Sequence, residues 1–217
     1  MKNFVVSIDG PAGSGKSSIS KKIAKIKGFT HIDTGAMYRA VTLEALRRKI
    51  DLSNEDEYAF LNSTSIIYKD GSTYLNGEDV SKQIRTRNVT NNVSTAAKLK
   101  VVRDKMVDFQ RESAKEGLIL MDGRDIGTVV LPNANLKIFL TADAEVRAER
   151  RCKENALAGI ESDYDKILAE IKERDFKDSN REISPLKKAD DAILIDTTSM
   201  GIDEVCNKII SLIDERI

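Results

Sequence analysis

Along the chain, short apolar runs alternate with longer stretches in which apolar residues recur every three or four positions. The runs are FVVSI at 4–8, FTHI at 29–32, LILM at 118–121, LKIFL at 136–140 and AILI at 192–195. Their length and their content of β-branched and aromatic residues predict strands. Helical spacing is clearest near the C-terminal end, where Ile202, Val205, Ile209, Leu212 and Ile213 fall on one face. A second helical pattern runs from Ser18 to Lys27. Strands alternating with helices predict an α/β fold, a mostly parallel sheet covered on both faces, with ligand sites beyond the carboxyl ends of the strands.

Residues 66–87 break this rhythm with short β-like pieces punctuated by the turn dipeptides Asp70-Gly71 and Asn76-Gly77. They predict a β-containing insertion, followed by two helical patterns at about 88–97 and 99–116. Residues 174–188 are polar, lack periodicity and hold one of the three prolines, which predicts a mobile surface segment. Neither an internal repeat nor a linker between independent domains is visible.

Composition narrows the class. A length of 217 residues suits one substantial domain with an insertion, and 41% apolar residues can supply its core. Lys plus Arg and Asp plus Glu number 35 each, so net charge exerts no general pull toward nucleic acid or an anionic membrane. Any attraction for phosphate must be local. Cys152 and Cys206, with the single histidine His31, give no metal-ligand spacing and suit a reducing compartment. MKNFVVSIDG lacks the apolar core of a secretion signal, and no run of about 18 apolar residues occurs elsewhere. The expected location is the cytoplasm.

Directly after the first apolar run stands GPAGSGKS, Gly10 to Ser17, with the G-x-x-x-x-G-K-[ST] spacing in the order strand, glycine loop, helix. Glycines let successive backbone N–H groups turn onto phosphate oxygens, and the helix N-terminus adds partial positive charge. Lys16 would reach the β- and γ-phosphates, and the Ser17 hydroxyl would bind a magnesium ion bridging them. This predicts nucleotide binding without separating a kinase from an ATPase, a GTPase or a switch. The only Asn-Lys pair, Asn207-Lys208, is followed by two isoleucines rather than a base-reading aspartate, which argues against a GTPase. Balanced charge argues against a helicase. Small-molecule phosphoryl transfer remains.

Three more constellations support that reading. DTGAMYR, Asp33 to Arg39, follows the second strand, and Arg39 lies one helical turn from Gly35, an arrangement that can hold a second anion. DGRDIGT, Asp122 to Thr128, sets two carboxylates and Arg124 at the carboxyl end of a buried strand. Arg147, Arg150 and Arg151 share a helical face, while Arg174 and Arg181 flank Asp178, which together suggest a covering lid of guanidinium groups. Other readings stay open at this point: a P-loop kinase for a different small molecule, and a nucleotide-binding regulatory module without turnover.

Taken together, GPAGSGKSS, DTGAMYR, DGRDIGT and ERDFKDSNR make the chain resemble the bacterial cytidylate kinases, nucleoside-monophosphate kinases that phosphorylate CMP and dCMP. The resemblance spans essentially the whole chain. It implies a three-layer P-loop kinase core with a five-stranded sheet, built from about 1–62, 117–150 and 189–217. A monophosphate-binding insertion would cover about 63–116 and a short lid about 151–188. Gly10, Pro11, Ala12, Gly13, Ser14, Gly15, Lys16, Ser17 and Ser18, with Arg151, would bind ATP, and Ser17 would contact Mg2+. Arg39, Arg124 and Arg181 would hold the CMP phosphate, Arg174 and Asp178 the sugar, and Ser94, Arg103 and Asp125 the cytosine, with Thr34 a further substrate-binding position. Lys16, Arg124, Arg174 and Arg181 would stabilise the transferring group. Thr34 stands where many members carry serine, which keeps the hydroxyl. Implied partners are CMP and dCMP alone, with no nucleic acid or membrane, and a monomeric state.

Overall fold

The structure, a computed structural model, describes residues 3–69, 71–157 and 159–217. Among these, five strands form one parallel sheet: β1 (Phe4–Asp9), β2 (Thr30–Asp33), β6 (Leu118–Gly123), β7 (Leu136–Thr141) and β8 (Ile193–Asp196), in the order β2-β6-β1-β7-β8. Val6 pairs with Leu120 on one side and with Leu136 on the other, which places β1 at the centre. All five apolar runs are therefore strands of one sheet. The first, third and fourth extend past their apolar residues to Asp9, Gly123 and Thr141, so the carboxyl edge of the sheet is its polar edge.

The second strand sits one residue later than its apolar run. Phe29 lies before the ladder and packs edge-on against Phe4, ring centroids 6.3 Å apart, while Asp33 joins the ladder opposite Asp122. Burial of the ring drew the apolar residue out of the strand.

Helices cover both faces. On one, α1 (Lys16–Lys27) and α7 (Ile202–Asp214) bury Ile19, Ile23, Val205, Cys206, Ile209 and Ile213 against Phe4, Val6, Ile8, Leu120, Ile138 and Leu140. The other carries α2 (Thr34–Arg48), α3 (Arg87–Ala97) and α4 (Lys100–Ser113), whose core includes Met37, Val41, Val93, Val102 and Met106 with Ile119 and Met121. Alternate residues of β6 thus serve opposite layers, as the period-two pleat requires.

Between α2 and α3 lies an antiparallel sheet of β3 (Ile66–Lys69), β4 (Ser72–Leu75) and β5 (Glu78–Asp79). Asn76 and Gly77 take φ of 50° and 85°, the doubly left-handed geometry of a type I′ hairpin turn. In the other dipeptide Asp70 lies outside the described residues.

α5 (Ala144–Leu157) and α6 (Tyr164–Ser179) form a hairpin over the carboxyl edge. Here the expectation of an irregular segment from residue 174 is corrected, because α6 continues to Ser179. Asp163 caps its start by accepting from the Lys166 N–H at 3.1 Å. Farther along, Asp175 and Asp178 are held by Arg147 and Arg124. Charge pairing replaces the apolar stripe, so hydrophobic periodicity carried no signal. None of the described helices is long and apolar enough to cross a membrane.

Ile209 is fully buried between α7 and α1, whereas Ile202 is half exposed. Ile209→Ala should cost about 2–5 kcal/mol in urea unfolding by creating a cavity, and Ile202→Ala no more than about 0.5 kcal/mol.

Candidate active site

Chain segments leaving the carboxyl ends of β1, β2 and β6 converge on one cleft. Gly10 leaves β1 with φ of +149°, and a Cβ there would stand 2.0 Å from the Leu140 carbonyl oxygen of β7, which admits only glycine. The loop ends at Gly15, in the left-handed region, where α1 begins with neither an acidic residue in its first turn nor a side-chain cap. The first N–H groups of that helix and its positive dipole end are left for an anion. Lys16 Nζ donates to the Pro11 carbonyl at 2.6 Å and to Ser14 Oγ at 3.4 Å. Burial, reinforced by the nearby Arg124 charge, pushes its ammonium well below the usual lysine range. An anion arriving at the loop would relieve that penalty.

Arg147 braces the loop from below. Its guanidinium donates to the carbonyls of Ala142 at 2.9 Å and Ala12 at 3.0 Å, and pairs with Asp175 at 2.6 Å. Arg150 turns the other way, to the Thr197 carbonyl at 2.5 Å. Arg151 pairs with its neighbour Glu154 at 3.4 Å on the exposed side of α5. The three arginines expected on one lid face thus do three different things: their positions share a face, but each long side chain reaches a different partner.

Asp122 is the hub at the end of β6. Its carboxylate accepts from Ser17 Oγ at 2.8 Å and meets His31 Nε2 at 2.5 Å, and its carbonyl accepts from Thr34 Oγ1 at 2.8 Å. Asp33 alongside caps α2 by accepting from the Ala36 N–H at 2.9 Å. Burial, then the Asp122 charge, raises its carboxyl above the usual value. No group of three or more metal-ligating His, Cys, Asp or Glu side chains occurs among the described residues. One hydroxyl beside carboxylates is nevertheless an oxygen donor set that suits Mg2+, an ion that takes its remaining ligands from phosphate and water.

Beyond Asp122 lies a cavity of about 60 Å³ lined by Thr34, Tyr38, Ser94, Arg103, Arg124, Asp125, Arg174, Asp178 and Arg181, among others. Arg103, from α4, pairs with Asp125 through Nη2, donates to the Ala97 carbonyl at 3.3 Å and lies over the Tyr38 ring at 5.4 Å. Arg124 Nε donates to Asp178 Oδ2 at 2.9 Å. Burial alone would raise Asp178, but Arg124, Arg174 and Arg181 together hold it below the ordinary carboxylate value. Arg174 Nε and Arg181 Nη2 are buried donors with no hydrogen-bond partner. Leaving such donors unpaired is costly, and an oxyanion is the group that satisfies them. Ser94, Arg174 and Arg151 also line an outer chamber of about 810 Å³ between α3 and the α5–α6 hairpin.

A family model for cytidylate kinase matches residues 6–215. The chain belongs to the cytidylate kinase family. It is 52% identical to a cytidylate kinase of Acholeplasma laidlawii, over 98% of this chain and 96% of that protein. With a cytidylate kinase of Anoxybacillus flavithermus the identity is 50%, over 100% and 98%. Two solved structures share the fold at low identity: an uncharacterized protein from Eubacterium ventriosum (TM-score 0.55, 16% identical, 99% and 100% covered) and a shikimate kinase from Bacteroides thetaiotaomicron (TM-score 0.50, 11% identical, 97% and 98% covered). Like the family it belongs to, the protein is an enzyme, a P-loop kinase.

Eight of the nine substrate-contact positions expected from the family line the 60 Å³ cavity, although Ser94 and Arg103 are far from Asp125 in sequence. Arg39 does not. Its Nη1 donates to Thr90 Oγ1 at 2.7 Å and to the Ile84 carbonyl at 3.2 Å, beside the cavity. Burial, with the like charges of Arg174 and Arg85, lowers its guanidinium to about 9. Arg151 also stands apart from the glycine loop, on the outer chamber. Tyr38, Asp9 and His31 were not singled out from the sequence. Tyr38 lies in DTGAMYR one position before Arg39, and Asp9 immediately precedes the glycine loop, so proximity to a motif was the available signal. For His31 there was none beyond its being the sole histidine.

Asp9 accepts from the N–H groups of Ile126 at 2.9 Å and Gly127 at 2.7 Å. Burial outweighs these bonds and raises its pKa from 3.8 to about 6. The folded state therefore binds its proton more tightly than the unfolded chain. Stability contributed by this group is greatest below 3.8, falls as pH rises toward about 6 and is flat above, a change of about 3 kcal/mol. Asp9→Asn should lose that component, so that its unfolding free energy, measured from pH 4 to 7, declines less steeply than that of the unaltered protein.

Proposed function

We propose that the enzyme carries out ATP-dependent phosphorylation of CMP and dCMP by in-line transfer, with the residues of the cleft dividing the work as follows. The reading rests above all on one observation: the buried Arg103–Asp125 pair and Ser94 share a cavity with Arg124, Arg174 and Arg181, within reach of the Lys16 loop.

Residues Gly10 to Ser18 bind the ATP phosphates on the loop N–H groups, with Lys16 leaving the Pro11 carbonyl for the β- and γ-phosphates and Arg151 closing from α5. Ser17 would hold Mg2+, which when bound would neutralise phosphate charge. Thr34, Arg39, Arg124 and Arg181 take the CMP phosphate. Repulsion of Arg39 by Arg174, Arg85 and Arg151 supports its part in this role, since a dianion beside it would turn that repulsion into attraction. Arg174 and Asp178 hold the sugar. Cytosine offers an exocyclic amine to Asp125 and acceptors at N3 and O2 to Arg103 and Ser94; uracil presents the opposite pattern at two of these points.

A phosphate monoester has a second pKa near 6, so its attacking oxygen is already ionised at neutral pH and no protein base is required. The chain's task is to align two repelling anions, exclude water and spread positive charge over the transferring group through Lys16, Arg124, Arg174 and Arg181. The β3–β5 insertion (about 63–116) and the α5–α6 lid (about 151–188) would close over the core for that purpose. We place the working enzyme in the cytoplasm as a monomer acting on free nucleotides.

An ADP-release assay with ATP and Mg2+ should show rapid turnover on CMP and dCMP and little on UMP, AMP or GMP. Turnover on a different acceptor would point to another small-molecule kinase, and ATP binding without turnover to a regulatory module. Lys16→Ala should lower kcat on the order of a hundredfold or more while the protein stays folded. Asp125→Ala should damage CMP use far more than ATP binding and shrink the CMP-to-UMP ratio of kcat/KM; equal losses on CMP and UMP would remove the base-reading role.

A further inference from the structure

Asp9 lies on the ATP side of the cleft, one residue before Gly10, yet neither carboxylate oxygen turns toward the glycine loop. Oδ1 accepts from the Ile126 N–H and Oδ2 from the Gly127 N–H, across 117 and 118 residues of sequence. The carboxylate is almost fully buried. Its two acceptors grip the backbone immediately after Asp125, where the chain winds into a single π-helical turn, Ile126–Val130. Asp125 itself sits at φ −143°, ψ 25°, outside the helical and extended regions. Its own carbonyl is taken by the Val129 N–H at 2.9 Å and the Val130 N–H at 3.2 Å. The Ile126 carbonyl in turn accepts from the Leu131 N–H at 2.7 Å, and the two N–H groups that follow Asp125 are the ones Asp9 holds. Gly127 packs tightly on the clamp: a Cβ there would stand 3.0 Å from Ser7 Oγ, 3.2 Å from Lys137 Cδ and 3.4 Å from Asp9 Oδ2.

We infer that Asp9 is a positioning residue for base recognition: by clamping the Ile126 and Gly127 amides it sets where the Asp125 carboxylate meets Arg103 and the pyrimidine. The inference rests on the proposed role of Asp125 as base reader. A displacement of about 1 Å in a recognition group is enough for a hundredfold loss. An asparagine at position 9 keeps one acceptor but turns an amide N–H2 toward a backbone donor, so one of the two bonds is lost.

The test compares Asp9→Asn, Gly127→Ala and Asp125→Ala for KM of ATP, KM of CMP and the CMP-to-UMP ratio of kcat/KM, with amide hydrogen exchange at Ile126 and Gly127. Gly127→Ala strains the same clamp without altering charge and serves if Asp9→Asn does not fold. Expected for both are faster exchange at the two amides, a CMP KM raised tenfold or more, a CMP-to-UMP ratio moved toward that of Asp125→Ala, and an ATP KM within about twofold. An unchanged ratio in these variants, while Asp125→Ala loses it, overturns the positioning role alone. Equal rises in the KM of ATP and CMP also overturn it, by making Asp9 a support of the glycine loop. If Asp125→Ala keeps the full ratio, the base-reading role fails first and the inference falls with it.

Discussion

Arg103 and Asp125 meet almost wholly out of water, one from a helix on the face of the sheet and the other from the loop that ends β6, beside the central strand. Removing two charges from water costs several kcal/mol per ion, and the cost is recovered only if both are paired and their remaining polar atoms are bonded. The surroundings meet most of that demand. Asp125 is held by the turn that Asp9 clamps, and Arg103 lies over Tyr38 and donates to Ala97. Arg103 Nε is left buried without a partner. A pair built this way is poor material for stability and good material for recognition, because a ligand can supply the bond that the protein leaves open.

The same logic extends outward. Arg124, Arg174 and Arg181 crowd around Asp178, whose single negative charge cannot balance all three. Burial and mutual repulsion lower the Arg174 guanidinium to about 10 and that of Arg39 to about 9. This excess of partly dehydrated positive charge, on a chain whose total charge is zero, is concentrated where the strands end. Electrostatics in such a place is worth more than at the surface, since water does not screen it. Phosphoryl transfer, which develops charge on oxygens and needs little covalent chemistry from the protein, is the reaction such an arrangement suits.

Much of this was legible in the linear order of residues. The apolar runs identify the strands, the spacing Gly10-x-x-x-x-Gly15-Lys16-Ser17 identifies the phosphate loop, and Asn76-Gly77 identifies a hairpin turn. Each is a short-range pattern whose physics is contained in a few neighbouring residues: pleat, backbone freedom at glycine, helix dipole. Where the controlling contact is distant, local reading went astray. Residues 174–179 are helical because Arg147 and Arg124 hold Asp175 and Asp178, and nothing in their own hydrophobicity says so.

By itself, then, the sequence determined the strands, the phosphate loop and, through the resemblance of its motifs, the family and the identities of the cavity's charged residues. Tertiary structure alone decided the strand order β2-β6-β1-β7-β8, the division of Arg147, Arg150 and Arg151 among three separate tasks, the meeting of His31 and Ser17 on Asp122, and the grip of Asp9 on Ile126 and Gly127. The reason is physical. Backbone geometry and side-chain period act over a few residues, whereas a buried charge finds its partner only after the sheet has brought distant strand ends side by side.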